Sequence, residues 1–361
     1  MPNTIPVLSN SRDEYRKGIR EYYSESIKAS ADLKTNACCI GDGIPEKHRS
    51  ILAEIPGEIL EKFYGCGSPI PDALDGTTIL DLGCGTGRDA YLLSRLVGPK
   101  GKVIGVDMTA GQLEVARKHL PGQMERWGYV QANLEFREGY IEDLLALGLA
   151  DESVDIVVSN CVINLSPDKP RVFQEIFRVL KPGGELYFSD VLSGKRIPAS
   201  LLADPVLQGE CLAGAMYIED FRRLLRDIGC LDYRVLSKRR LEIGNADVER
   251  KVGMVDFYSM TLRAFKLPEH LEDICEDYGQ VATYLGTAEG LPHGFTLDDH
   301  HFFPTGKPCL VCGNTAAMLA ETRFGRHFRI DGDRKTHYGA FACASPATVK
   351  SAGDAGGGAC C

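Results

Sequence analysis

Thr78-Ile79-Leu80-Asp81-Leu82-Gly83-Cys84-Gly85-Thr86-Gly87-Arg88-Asp89 runs from a short apolar, β-rich stretch through a turn of glycines into the opening of a helical pattern. Glycines in such a turn let the backbone approach a ligand that a Cβ would hold away. Their G-x-G-x-G spacing is tighter than the G-x-G-x-x-G of dinucleotide binders, and Asp81 just upstream would not favour a pyrophosphate. A carboxylate there suits a cationic ligand. Outward from this stretch, apolar runs at 78–83, 102–107, 134–139, 155–160 and 184–190 read as successive strands. Between them, 89–97, 112–128 and 170–181 carry apolar residues at three-and-four spacing, and the last is expected to stop at Lys181-Pro182-Gly183-Gly184. Strands alternating with helices predict a parallel α/β sheet.

The second strand ends at Asp107-Met108, where an acidic side chain can accept hydrogen bonds from both hydroxyls of a ribose. The turn after the third strand, Gly139-Tyr140-Ile141-Glu142, is placed for an adenine, with Ile141 packing the ring. Ligands of such sheets bind outside the carboxyl ends of the strands, which adds Asn160 at the end of the fourth. The combination predicts S-adenosylmethionine, positive at both ammonium and sulfonium, as cofactor. Its expected binders are Asp81, Gly83, Gly85, Gly87, Asp107, Met108, Ile141, Glu142 and Asn160.

Further along, 218–229 reads as a helix, and 233–240 and 256–265 as an antiparallel pair closing the sheet, with Gly244-Asn245-Ala246-Asp247 between. Past Pro268 the alternation fades into an acidic helix-like piece at 269–279, then loops, then a segment at 313–325. The expected organisation is an arm over 1–75 carrying Cys38 and Cys66, a cofactor-binding domain over 76–266, a smaller domain over 267–345, and a disordered tail over 346–361 ending in Cys360-Cys361. The chain has 361 residues, a net charge of −9, 44% hydrophobic and 25% charged residues, a globular balance too acidic for nucleic-acid binding. Without a membrane-length apolar run or a secretory leader, it is expected to be soluble, cytoplasmic and free of membrane contact. Its 13 cysteines then read as thiols rather than a disulfide framework. Cys84, Cys230 and Cys275 are expected in the core.

Methyl transfer is a displacement in which the acceptor lies within about 3 to 3.5 Å of the methyl, opposite the leaving sulfur. Base-modifying enzymes carry Asn or Asp, then Pro-Pro-aromatic, after the fourth strand, whereas this chain has Ser159-Asn160-Cys161-Val162-Ile163-Asn164-Leu165. No carboxylate set for a divalent cation is evident, and Glu210 is the one candidate base. Two thiols, Cys161 just past the fourth strand and Cys211 in the loop after the fifth, face the expected donor. Thiolates select soft ions. Trivalent arsenic would be bound by sulfur and keep a lone pair able to attack a methyl, although position alone leaves coincidence open.

Leu33-Lys34-Thr35-Asn36-Ala37-Cys38, Tyr64-Gly65-Cys66-Gly67, Ser159 to Leu165, and Gly209-Glu210-Cys211-Leu212 together resemble the arsenite S-adenosylmethionine methyltransferases, a likeness running from about residue 33 to about residue 345. The resemblance implies a Rossmann-like class I methyltransferase sheet with a smaller C-terminal α+β domain. It also implies As(III) held by Cys66, Cys161 and Cys211, and Cys38 joining Cys66 in a disulfide as electrons return methylated arsenic to the trivalent state. Arsenite or its thiol conjugates would be the substrate of a monomer reset by an external thiol reductant, glutathione or thioredoxin. The competing readings are a carbon-methylating small-molecule enzyme and a thiol-rich arsenic-binding protein without activity. Cys309-Leu310-Val311-Cys312, with His337 and Cys343, spells an irregular zinc pattern for which packing is the preferred account. Asp298-Asp299-His300-His301 reads as a solvated loop.

Overall fold

The computed structural model describes residues 12–21, 44, 46–61, 65, 67–202 and 204–342. Cys38, Cys66, Cys343 and the tail with Cys360 and Cys361 lie outside the described residues. The helices are α1 (Arg12–Glu21), α2 (Glu46–Leu52), α3 (Gly57–Leu60), α4 (Arg88–Val97), α5 (Ala110–Arg126), α6 (Lys169–Val179), α7 (Pro205–Gly209), α8 (Ile218–Asp227), α9 (Ala246–Val252) and α10 (Gly313–Ala320). None of the described helices is long and apolar enough to cross a membrane.

The main sheet contains β1 (Thr78–Leu82), β2 (Lys102–Asp107), β3 (Leu134–Glu138), β4 (Val154–Asn160), β5 (Leu180–Ser193), β6 (Met216–Tyr217), β7 (Tyr233–Arg240) and β8 (Phe257–Phe265). Its order is β3-β2-β1-β4-β5-β8-β7, with β6 beside the end of β5. β1 to β5 run parallel and β8 lies antiparallel between β5 and β7. This is the α/β sheet the strand–helix alternation predicts, closed by the expected antiparallel pair. β1 and β4 read as nearly unbroken apolar runs because helices cover both faces, so successive side chains on either side are buried. Local signals set the helix ends. Gly87 opens α4 at φ 93° and Gly98 follows its end at φ 69°, while Asp168 caps α6 by accepting the Arg171 amide at 3.2 Å.

Three expectations fail for tertiary reasons. Strand β5 begins at Leu180 and takes in Lys181-Pro182-Gly183-Gly184 instead of leaving them as a loop. The edge of β8 supplies partners there, with Gly183 donating to the Lys266 carbonyl and Lys266 to that of Gly184, both at 2.9 Å. The acidic segment 269–279 forms no helix, because its backbone is bonded from outside. Glu272 exchanges two 2.8 Å bonds with the Asn314 side chain, and Cys275 accepts from the Phe341 amide. Between β7 and β8, where the sequence reads only as Gly244-Asn245-Ala246-Asp247 joining the pair, Asn245 caps α9 by accepting the amides of Asp247 and Val248.

Beyond β8 the chain adds β9 (Glu276–Asp277), β10 (Gln280–Tyr284), β11 (Gly294–Thr296), β12 (Phe302–Pro304), β13 (Pro308–Val311), β14 (Phe328–Asp331) and β15 (Gly339–Ala340). They pair as β13-β10-β14, β11-β12 and β15-β9. An apolar core continues without a break from Phe188 and Leu262 of the main sheet through Phe265 to Tyr284, Phe295, Phe324 and Phe328. Asp298 and His301, expected in a solvated loop, are both buried, with His301 stacked on Phe303.

Candidate active site

The carboxyl ends of β1, β2 and β4 open onto one cavity lined by Asp81, Gly83, Gly85, Asp107, Met108, Ile141, Glu142, Asn160 and Cys161. Eight of the nine expected cofactor residues therefore converge. The ninth, Gly87, stands behind the wall, where a Cβ would reach the Phe136 ring at 3.0 Å and where its left-handed backbone turns the chain into α4. Gly83 combines φ +70° with a closer limit, since a Cβ there would meet Val162 Cγ2 at 2.3 Å.

Asp81 is 3% exposed, and its Oδ2 has no hydrogen-bond partner among the described residues. Burial pushes its carboxyl well above the usual carboxylate range, and Asp89 and Asp107 add to the effect. An orphaned carboxylate oxygen among other carboxylates is an unfavourable arrangement that a cation relieves. This fits a group bearing an ammonium or sulfonium, and it disfavours a phosphate. Asp107 is built into the turn, accepting the Gly85 amide at 2.9 Å on Oδ2 and the Thr109 amide at 2.8 Å on Oδ1. Each of its oxygens keeps a further acceptor position for a hydroxyl. Burial raises its pKa as well.

Asn160 links the cavity to a distant part of the chain. Its amide donates to the Gly67 carbonyl at 2.9 Å and to Asp89 at 3.0 Å. Gly67 is packed so closely against β5 that a Cβ would meet Ser189 Oγ at 2.5 Å.

Cys161 and Cys211 are 4% and 0% exposed. Both hold left-handed backbone, at φ 56° and 61°, a region L side chains rarely adopt. Those turns bring the thiol of Cys211 to 3.5 Å from the Cys161 carbonyl, to which it donates. Cys161 is disulfide-bonded, and its partner is none of the other described cysteines, all of which remain thiols. Lys169 and Tyr15 lie within electrostatic reach of Cys211. Burial lowers the Lys169 pKa to about 8 against the opposing pull of Asp190, Cys211 and Glu142. The Tyr15 phenol is pushed above its usual range by burial first and by Cys211 second.

Sequence reasoning missed the roof. Arg16 and Ile19 of α1 line the cavity, and the Arg16 guanidinium lies 4.2 Å from the centre of the Tyr140 ring. Arg16 also stands 3.6 Å from Glu142, and Arg12 pairs with Asp168 at 2.7 Å. The only local signal is Tyr15 and Ile19 four residues apart on an otherwise polar helix. Glu210, the candidate base, is fully buried next to Cys211.

A parallel sheet with a carboxylate-lined, glycine-floored cavity at its carboxyl edge defines a methyltransferase, and the family profile described as "Methyltransferase domain" matches residues 73–229. A second profile, "Arsenite methyltransferase C-terminal domain", matches residues 278–353. The chain is 49% identical over 325 residues to an arsenite methyltransferase of Aquipseudomonas alcaligenes, covering 90% of this chain and 93% of the relative. It is 43% identical over 318 residues to that of Homo sapiens, covering 88% and 84%. The crystal structure of an arsenic (III) S-adenosylmethionine methyltransferase from Chlamydomonas reinhardtii superposes with a TM-score of 0.80 at 53% identity, over 83% of this chain and all of that one. The chain belongs to the arsenite methyltransferase family.

Proposed function

We propose that this chain transfers methyl groups from S-adenosylmethionine to trivalent arsenic gripped by the thiolates of Cys66, Cys161 and Cys211, a reaction serving arsenic detoxification. The observation that carries the reading is the approach of the Cys211 thiol to Cys161, both in left-handed backbone, where Cys161 lines a cavity that also holds an orphaned carboxylate. Cys66 is the chain neighbour of Gly67, whose carbonyl is bonded to Asn160, the residue before Cys161.

Asp81 faces the positive charge of the donor, Asp107 and Met108 bound the far end of the cavity, and Ile141 offers an apolar wall. S-adenosylmethionine supplies an electrophilic methyl at this place. The protein's own part is to hold arsenic. Three thiolates displace the three hydroxyls of neutral arsenous acid as water, leaving a pyramidal centre with its lone pair unshared. Lys169, within electrostatic reach of Cys211, favours the thiolate that arsenic requires. When the lone pair forms the As–C bond, the donor's sulfur–methyl bond would break and S-adenosylhomocysteine would leave, and arsenic rises from +3 to +5. Attack of the Cys38 thiolate on the arsenic-bound Cys66 sulfur then forms the disulfide, breaks the As–S bond and returns two electrons to arsenic, and an external thiol, glutathione or thioredoxin, reduces that disulfide. The disulfide at Cys161 must likewise be opened before three thiolates are available. The working form is a cytoplasmic monomer taking arsenite or its thiol conjugates.

Incubation with arsenite, S-adenosylmethionine and a thiol reductant, followed by arsenic speciation, tests the reading. Methylated arsenicals are expected from the parent chain. Cys161→Ser and Cys211→Ser are each expected to lose at least a hundredfold in rate while still binding the methyl donor. Undiminished turnover in either variant removes that thiol from the site, and donor binding without any methylated arsenic overturns the proposal.

A further inference from the structure

The loops that carry Cys161 and Cys211 meet a second time at Asn164. Cys161 opens the turn that takes the chain from β4 to α6, and Cys211 opens the loop that runs from α7 to β6. The second loop is pinned at both ends. The amides of Leu212 and Ala213 donate to the Leu207 carbonyl of α7 at 2.9 and 2.8 Å, and Met216 pairs with Leu192 of β5. The first begins with the Cys161 amide donating to the Ser189 carbonyl at 2.8 Å. Its next tie to β5 is Asn164.

Asn164 is 1% exposed and directs its donors onto the end of β5. Its backbone amide donates to Asp190 Oδ2 at 3.1 Å, and its side-chain nitrogen donates to Asp190 Oδ1 at 2.7 Å and to the Val191 carbonyl at 2.6 Å. These bonds fix where the Asn164 carbonyl stands. The backbone of Gly214, in the Cys211 loop, rests against that carbonyl, because a Cβ on Gly214 would overlap the oxygen and lie 2.9 Å from the carbon. Gly214 is not among the residues in left-handed backbone, so its missing side chain serves this close approach and not a turn. In the same turn as Asn164, Val162 stands against Gly83 of the cavity. One short segment thus gauges the distance from the cavity to the second thiol.

We infer that Asn164 is a positioning residue for the methyl transfer: held by Asp190, it sets the separation of the Cys161 and Cys211 sulfurs through its contact with Gly214. The inference rests on the proposed role of those two cysteines as arsenic ligands. A binding constellation tolerates errors of only about 0.5 Å, and a close-packed interior passes a displacement on to its neighbours. A methyl group inserted between Gly214 and Asn164 pushes the Cys211 loop outward, because β5 holds the other side. Loss of the Asn164 side-chain bonds loosens the Cys161 turn instead. Either change alters the span between the sulfurs and leaves the carboxylates of the donor cavity in place.

Phenylarsine oxide measures that span, because its trivalent arsenic takes two thiols at once, forming two As–S bonds and releasing one water with no change of oxidation state. The full chain, reduced with a phosphine, is titrated with this reagent, alkylated, digested and read by mass spectrometry for protection of Cys161 and Cys211. Joint protection of the two is expected in the parent chain. Gly214→Ala and Asn164→Ala are each expected to raise the half-protecting concentration about tenfold or more, while S-adenosylmethionine binding and the alkylation rate of Cys211 without the reagent stay within about twofold of the parent. Asn164→Ala adds no volume and carries the test alone if Gly214→Ala does not fold. Equal protection in parent and variants overturns the inference and leaves the arsenic reading standing. The inference also falls if the variants lose donor binding, or expose Cys211 to alkylation, as much as they lose protection, since Asn164 then only holds the fold. A parent chain in which the reagent never protects the pair brings down the arsenic reading itself, and the inference with it.

Discussion

Left-handed backbone costs a non-glycine residue on the order of 1 to 3 kcal/mol, and this chain accepts that cost at Cys161 and Cys211. Glycine would remove the strain but supply no sulfur, so the strain and the thiol are explained together by chemistry at the site. Gly83 is the converse, where only the absence of a side chain serves. Gly83→Ala would drive a Cβ into Val162 at 2.3 Å while holding a disfavoured φ. It is expected to weaken S-adenosylmethionine binding about tenfold or more, near 1.4 kcal/mol, as read by titration calorimetry. Behind Cys161, Asp190 accepts from the Asn164 amide at 3.1 Å and from its side chain at 2.7 Å, and burial pushes its carboxyl up to about 7. The folded state thus binds a proton that the unfolded chain, with an ordinary value near 3.8, has released between those limits. The stability this group contributes is full below about pH 4 and lost as pH rises through about 7. Urea unfolding is expected to show a decline in stability from pH 5 to 8 that Asp190→Asn flattens; an unchanged slope would assign the decline to another group. Asp81, the glycines and Cys161 were legible in the sequence because each sits within a few residues of a strand end, whereas Cys211, far past the end of β5, was reached through its loop and the family resemblance. Lys169 and Tyr15 were not legible, since nothing local announces which thiol a distant side chain will approach.

Helix α1 shows the same limit one level up. Its apolar content is little more than Tyr15 and Ile19, too narrow a stripe to say what it covers, and the sequence left this part of the arm without a packing partner. What seats α1 is long-range charge pairing, Arg12 with Asp168 and Arg16 with Glu142 and the Tyr140 ring. A cation over an aromatic face is worth about 0.5 to 2 kcal/mol, more as water is excluded. Arg16→Ala is therefore expected to raise the KM for the methyl donor about three- to tenfold with little change in kcat for arsenite methylation. A fall in kcat at unchanged KM would instead give Arg16 a part in the chemistry. The segments 269–279 and 246–252 were misread for the same physical reason. The first has helical composition but finds its backbone partners in the Asn314 side chain and the Phe341 amide, and the second is decided by one cap, Asn245.

At the scale of the whole molecule, the question is what fixes the C-terminal strands against the sheet whose edge carries the cavity. Apolar continuity from Phe265 to Phe324 and Phe328 supplies attraction without direction. Direction comes from Glu185 of β5. Its carboxylate, fully buried, pairs with Arg263 of β8 on one oxygen and with Arg323 of the C-terminal segment on the other, both at 2.5 Å. Arg263 continues to the Leu297 carbonyl at 2.6 Å, and Arg323 to the Asp72 carbonyl, so one acid ties four stretches of chain. Two buried guanidiniums without their shared counter-charge cannot recover hydration. Removing one partner of a buried pair costs about 3 to 5 kcal/mol. Glu185→Gln, which preserves shape, is expected to lower unfolding free energy by that amount in guanidinium-chloride titrations. The exposed pair Arg240–Asp256 serves as control, with Asp256→Asn expected to cost less than about 1 kcal/mol. If the two variants lose equal stability, the triad does not orient the C-terminal strands, and the apolar core alone must account for their placement.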